Sequence, residues 1–442
     1  MLYPESELFQ RLHNQIKQIP VIDCHEHMSG PAYQPPYKEP IAALTYFYMN
    51  SDLFSASFGI PLKDFKKLEN EAISTDEKWP VFEKLWQASQ HTAYARVTRL
   101  VLKDIYGEEE MTRDALQRMA EKLGQHTEEA YFKLLQDAGI KAVITDVLGW
   151  PPEPARFLED RLIFPDMIKP MINLPFFHPT TLSGESVFNI GQLAGRMGTS
   201  LDEFVEITYD LFDTMIAKGC IGFKDQSAYQ RTLNYEVPDK SEAEKQFNHL
   251  LHDPRNVLGW PQGKALNDYL MHAYMRFARE VNLPVQLHSG HMAGQLNRVD
   301  KANAALLTPL LELHQEVRFD LFHGNWPYMG DLLFLGKNYP NVSLNLCWLH
   351  IIDPLYASEL MERAVMTIPA NKVHAFGGDY LDAPEFSVAH LQIARENMAG
   401  TFARLVERGW LSEEESLCIA ADWLYNNPNQ TFNLGLQPYS PM

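Results

Sequence analysis

Apolar positions along this chain follow two periods in turn. From about Glu5 to Gln18, Leu8, Leu12 and Ile16 recur at helical spacing, and Pro20 ends the helix they predict. A short apolar run, Val21 to Met28, then has the look of a strand. The same sequence of helix and apolar strand returns repeatedly from Asp137 onward. Strands are predicted at Ala142–Val147, Pro170–Leu174, Cys220–Lys224, Pro284–His288, Arg318–His323, Val342–Leu346 and Val373–Asp379. Helices are predicted over about 201–217 and 265–281, and Gly139 and Gly219 act as stop signals. Strands that alternate with helices predict a parallel sheet with crossover connections. Short apolar strands suit a sheet covered on both faces. Eight of them, with no glycine-rich phosphate loop, favour an α/β fold of the (β/α)8 TIM-barrel type over an open doubly wound sheet.

One stretch breaks the alternation. Residues 29–137 open with Pro31, Pro35, Pro36, Tyr37 and Pro40, then turn helical, with Trp79, Phe82, Leu85 and Trp86 at helix-like steps. This is far too long for an ordinary connection and reads as a mostly helical insertion after strand 1. The tail, about 386–432, reads as helices covering the barrel's outside. All 442 residues are thus assigned to a single barrel domain, 1–442, with 29–137 inserted.

Composition narrows the function classes. A formal charge of −19, from 57 acidic against 38 basic residues, lacks the basic footprint of a nucleic-acid binder. It equally disfavours docking on anionic lipid. No apolar run reaches membrane-spanning length, and the N-terminal residues lack a secretion-signal pattern. Cys24, Cys220, Cys347 and Cys418 form no CxxC pair, so neither a disulfide framework nor a cysteine zinc site is expected. A cytoplasmic enzyme acting on a small molecule is expected, with no nucleic-acid or membrane partner; a homo-oligomer is left open.

Candidate chemistry sits at the strand ends. His25 and His27 lie two apart on a strand, so both imidazoles share one face while Glu26 points to the other. His288, His323 and Asp379 each close a later strand, and in a barrel these ends converge on one mouth. Burying that many unpaired polar groups in a packed core would be costly, which favours a functional set. Cys24 should alternate outward as a small buried hydrophobe.

The pieces Ile22-Asp23-Cys24-His25-Glu26-His27, Leu287-His288-Ser289-Gly290, Phe322-His323-Gly324 and Gly377-Gly378-Asp379-Tyr380 occur in this order over nearly the whole chain. They resemble the amidohydrolase superfamily, metal-dependent TIM-barrel hydrolases, and the long insertion after strand 1 is similar to that of uronate isomerases. The resemblance implies one divalent metal ion on His25, His27, His288 and Asp379. It implies catalytic roles for His323, beside the metal, and for Asp379 as proton shuttle. Histidine nitrogens with a carboxylate suit Zn2+, with Mn2+ or Fe2+ as alternatives. Lys224 has two readings: a carboxylated bridge to a second metal, as in binuclear relatives, or, with Arg231, a grip on an anionic substrate. The second is preferred. His291 and Trp326 are further candidates for substrate contact, and His178 a weaker one, whereas Trp348 is read as packing. The expected reaction is hydrolysis of an amide, lactone or related ester of a small carboxylated substrate. The alternatives are uronate isomerisation and non-oxidative decarboxylation.

Overall fold

The computed structural model describes residues 6–29, 39–46, 48–122, 127–177 and 182–441. The expected Pro31, Pro35, Pro36 and Tyr37 stretch and His178 lie outside these residues.

Eight parallel strands form the frame: β1 (Val21–Glu26), β2 (Ile140–Thr145), β3 in two pieces (Ile168–Pro170 and Ile172–Asn173), β4 (Phe223–Asp225), β5 (Val285–Leu287), β6 (Phe319–Leu321), β7 (Val342–Asn345) and β8 (Val373–His374). Each pairs with the next: β1–β2 and β2–β3, then β3–β4 through Ile172↔Phe223, and so on to β7–β8. The ring closes between β8 and β1. There Cys24 N–H donates to Phe376 O (3.1 Å), Asp379 N–H to His25 O (2.9 Å) and His27 N–H to Tyr380 O (3.0 Å), and His27 bridges Leu381 in parallel register. The α/β barrel read from the sequence is the fold.

Each crossover carries its helix, among them Leu201–Ala217, Lys264–Glu280, Met329–Asn338 and Pro354–Thr367. Their buried faces, for example Phe204, Leu211, Phe212 and Met215 on the first, pack onto outward strand residues such as Phe223. The tail helix Pro384–Glu407 runs beside Glu7–Ile16, where Arg395 donates to Ile19 O and Ala138 O. Tyr425 and Phe432 pack with Ile22, Cys24, Ala142, Ile144 and Met171. Cys24 is thus the small buried hydrophobe expected, and burial pushes its thiol well up.

The insertion is helical as expected, with helices including Pro40–Tyr46, Met49–Ser55, Thr75–Ser89, Ala93–Leu100 and Arg113–Lys122. Ile41, Leu44, Leu53, Phe82, Leu85, Trp86 and Val97 build a second core. That core is continuous with Phe322, Trp348, Tyr380 and Phe386, which surround the ends of β6, β7 and β8. The insertion therefore sits on the barrel mouth.

Strand 8 is shorter than its apolar pattern suggested, ending at His374 rather than Asp379. The segment beyond it keeps backbone hydrogen bonds to β1 and adds bonds to the β1 side chains Asp23 and Glu26, which set the site described next.

Candidate metal centre at the barrel mouth

Five of the predicted residues converge. His25 Nε2 and His27 Nε2 lie 3.2 and 3.1 Å from the same oxygen, Asp379 Oδ1. The other carboxylate oxygen, Oδ2, is 3.8 Å from His323 Nε2. His323 Nε2 in turn lies 3.2 Å from His288 Nδ1. His25, His27 and Asp379 form one group spaced to hold a metal ion, and His323, Cys347 and Asp379 form another.

The tautomers follow from the outer contacts. His288 Nε2 is 2.7 Å from His291 O, and His323 Nδ1 is 3.0 Å from Cys347 O. A carbonyl can only accept, so those nitrogens carry the protons. That leaves His288 Nδ1 and His323 Nε2 as lone pairs facing each other. Two facing lone pairs repel, and a cation beside them removes the conflict; imidazoles anchored in this way are the usual setting of metal ligands. Burial holds His25 and His323 well below the ordinary imidazole range and lowers His288 to about 3, so all three are neutral and able to ligate. Burial works to raise Asp379, but the imidazoles of His25, His27 and His323 outweigh it and keep the carboxylate ionised. The donor set fits a divalent cation such as zinc.

Backbone strain gathers here too. His323 (φ 54°), Trp348 (φ 65°) and Asp379 (φ 62°) all occupy the left-handed region that non-glycine residues avoid. Glu26, expected to point away from the imidazoles, does so and meets the segment 378–380. Its Oε2 accepts from Tyr380 N–H (2.6 Å), while Asp23 Oδ1 accepts from Gly378 N–H (3.0 Å). Burial raises both carboxyls, Glu26 well above its usual range and Asp23 to about 7.

The residues expected to bind substrate separate. Lys224 stands among the ligand candidates: its Nζ is 3.2 Å from His25 Nε2 and 3.9 Å from the centre of the Phe322 ring. Burial lowers its pKa against the pull of Asp146 and Asp379. Arg231 is not among the residues lining the cavity at the mouth. Its guanidinium is fully buried, pairs with Asp268 (2.6 Å), donates to Thr232 O and Asn234 O, and lies over Tyr235 and Trp260. The two cations expected to grip an anion thus meet different partners: Arg231 Nη2 pairs with Asp268 while its Nη1 has no hydrogen-bond partner among the described residues, and Lys224 packs against His25. His291 presents its carbonyl to His288 and its ring to Trp326 (5.3 Å) and Trp348 (4.8 Å). Trp326 reaches Asp353 through its indole N–H, and Trp348 packs as expected, stacked on Tyr48 at 4.1 Å.

A cavity of about 610 Å³ opens above His27 and Asp379. Tyr48, Asn50 and Ser51 of the insertion form one wall, facing Gln226, Tyr229 and Gln295. Trp150 stands 5.0 Å from the His27 ring and Tyr229 4.9 Å from that of His288. The sequence reading missed these residues. Apart from Asn50 and Ser51, on the short helix Met49–Ser55, they lie on loops and turns with no period or motif, and only the fold brings them over the ligand candidates.

A barrel with a histidine–carboxylate centre at its mouth defines a class, the metal-dependent TIM-barrel enzymes. Residues 241–434, which carry β5 to β8 with His288, His323 and Asp379, match the amidohydrolase family. The resemblance read from the motifs is thereby borne out. The chain is similar to protein fluG of Emericella nidulans, 26% identical over 237 residues, which cover 52% of this chain. The match spans only 27% of that protein's length. Two solved structures share the fold. Uronate isomerase from Thermotoga maritima has a TM-score of 0.77 at 16% identity, over 96% of this chain and 97% of that one. Glucuronate isomerase from Caulobacter crescentus has a TM-score of 0.73 at 17% identity, over 99% and 97%. Together these findings support a metal-dependent enzyme. No helix among the described residues is long and apolar enough to cross a membrane.

Proposed function

We propose that this chain is a metal-dependent hydrolase that attacks the carbonyl of a small polar amide, lactone or related ester with water. One observation carries the reading: the imidazoles of His25, His27, His288 and His323 gather around the ionised carboxylate of Asp379 beneath an open cavity. His25, His27, His288 and Asp379 would hold one divalent cation, with zinc the best match to the donors. When bound, the cation supplies Lewis acidity, lowering the pKa of water and polarising a carbonyl.

The protein's own groups account for the proton traffic. Asp379 Oδ1 lies beside the Nε2 atoms of His25 and His27, on the side where the three would hold the cation, which leaves Oδ2 to take the proton of the attacking water and return it to the leaving nitrogen or oxygen. His323 is fixed by its Nδ1–H on Cys347 O, so Nε2 accepts a hydrogen bond and orients water or a substrate hydroxyl. Asn50, Gln226 and Gln295 offer carboxamides that donate and accept, suited to substrate amides and hydroxyls. Trp150 supplies an apolar face beside them.

A second reading, isomerisation of a sugar acid, is supported by the full-length likeness in fold to uronate isomerases. Against it stands the pairing of Arg231 Nη2 with Asp268, which occupies part of the guanidinium expected to hold a uronate carboxylate. A pH-stat assay on neutral and acidic lactones, beside uronates, separates the two, because hydrolysis releases acid and isomerisation does not. His323→Asn should retain the metal while losing most turnover. Uronate conversion without acid release would replace the hydrolase reading with the isomerase one, and carbon dioxide release would point to decarboxylation.

A further inference from the structure

Resting on the metal site just proposed, we infer that Glu26, Asp23 and Tyr48 are positioning residues that hold Asp379 in its ligating conformation. Asp379 follows a strand that has already ended and sits at φ 62°. A non-glycine residue in that region is strained and persists only where its surroundings over-determine it. Here they do. Gly378 N–H donates to Asp23 Oδ1, Asp379 N–H to His25 O, and Tyr380 N–H to Glu26 Oε2. On the other side, the Tyr48 hydroxyl donates to the Asp379 carbonyl. Three consecutive N–H groups and one carbonyl are thus all engaged, two of the N–H groups by carboxyls of β1 itself.

The fit is tight. A Cβ on residue 378 would come within 1.8 Å of Glu26 Oε1, so only glycine lets the Glu26 carboxyl lie under the segment. Asp23 Oδ1 also accepts from His25 N–H (3.3 Å), so the carboxyl that holds Gly378 also fixes the backbone of the first metal-ligand candidate. The motif Asp23-Cys24-His25-Glu26-His27 therefore has two functions on one strand: the histidines face the metal and the carboxyls set the fourth ligand. Tyr48 ties the insertion to the same segment, so docking of the insertion and placement of Asp379 are coupled.

The test is metal affinity by competition with a chromophoric chelator, together with the visible spectrum of the Co2+-loaded protein, for Glu26→Ala, Glu26→Gln and Tyr48→Phe. Glu26→Ala should weaken metal binding ~10- to 100-fold, as loss of partners that orient a ligand does, and should shift the Co2+ bands. Glu26→Gln keeps an acceptor for Tyr380 N–H and should restore affinity to within about threefold of wild type. Tyr48→Phe, a rim change compatible with folding, should weaken binding by a smaller factor. A role in stability alone would lower the melting temperature and leave affinity and spectrum unchanged. That result for Glu26→Ala, or for Tyr48→Phe should the alanine variant fail to fold, overturns the inference. A wild-type protein that binds no metal would instead overturn the site itself.

Discussion

Arg231→Leu is the sharpest test of whether Arg231 serves the fold or grips an anion. The guanidinium is buried and makes a 2.6 Å contact to Asp268, with two further bonds to the carbonyls of Thr232 and Asn234. Removing one partner of a buried pair typically costs ~3–5 kcal/mol, because the other charge stays behind uncompensated. Asp268 would not be wholly stranded, since Lys264 and the Glu236 N–H still reach it. The expected loss is therefore at the lower end, about 3 kcal/mol. With ~2.1 cal/mol/K per residue of unfolding entropy, a chain of 442 residues would melt roughly 3 °C lower. Arg231→Leu with Asp268→Leu should recover much of that loss, since it removes the orphaned charge as well. Calorimetry of the three variants reads the coupling, and steady-state kinetics on a neutral and an acidic substrate reads the function. Both substrates should show KM within about threefold of wild type, as expected for a residue that does not touch substrate. A variant that melts normally but loses tenfold or more in KM for the acidic substrate alone would show that Arg231 reaches substrate and would refute the assignment.

Three other outcomes follow from the same geometry. His25→Ala and Asp379→Ala should each abolish bound metal on elemental analysis; retention of full metal in both would sink the ligand assignment. Lys224→Met removes a cation 3.2 Å from His25 Nε2 and should leave metal binding as tight or tighter, because the amine competes with an incoming cation. Loss of one of two metal equivalents would instead mark Lys224 as a bridge. The stacked pair His272 and His314, joined nitrogen to nitrogen at 2.8 Å, is buried and held below the ordinary imidazole range, His314 to about 4. The unfolded chain protonates first, so stability is full above about pH 6.5 and falls by roughly 2–3 kcal/mol as pH drops towards 4. His314→Gln should flatten part of that slope in urea unfolding, and an unchanged slope would remove His314 as its source.

The sequence revealed the frame and the ligands for a physical reason. Buried parallel strands need short apolar runs, and the groups that end those runs share one mouth, so His25, His27, His288, His323 and Asp379 could be placed together before any coordinates. The insertion was legible as a break in period, and its seat over the mouth was not, because Phe82 and Trp86 signal a buried face without saying what covers it. The partner of Arg231 was hidden for a comparable reason. An arginine seven residues past a strand end could face the cavity or turn outward, and its partner Asp268 is 37 residues away, on the helix Lys264–Glu280. Tyr48 and Trp150 lay on loops, where local pattern carries no information about what they approach. Glu26 was read correctly as facing away from the imidazoles, yet its use was hidden until the return of the chain at Gly378 to Tyr380 could be seen.

The central claim is a metal held by His25, His27, His288 and Asp379, and elemental analysis of protein purified without chelator tests it most directly. About one equivalent of zinc, manganese or iron per chain is the predicted result. No metal, and none taken up on reconstitution, would contradict it.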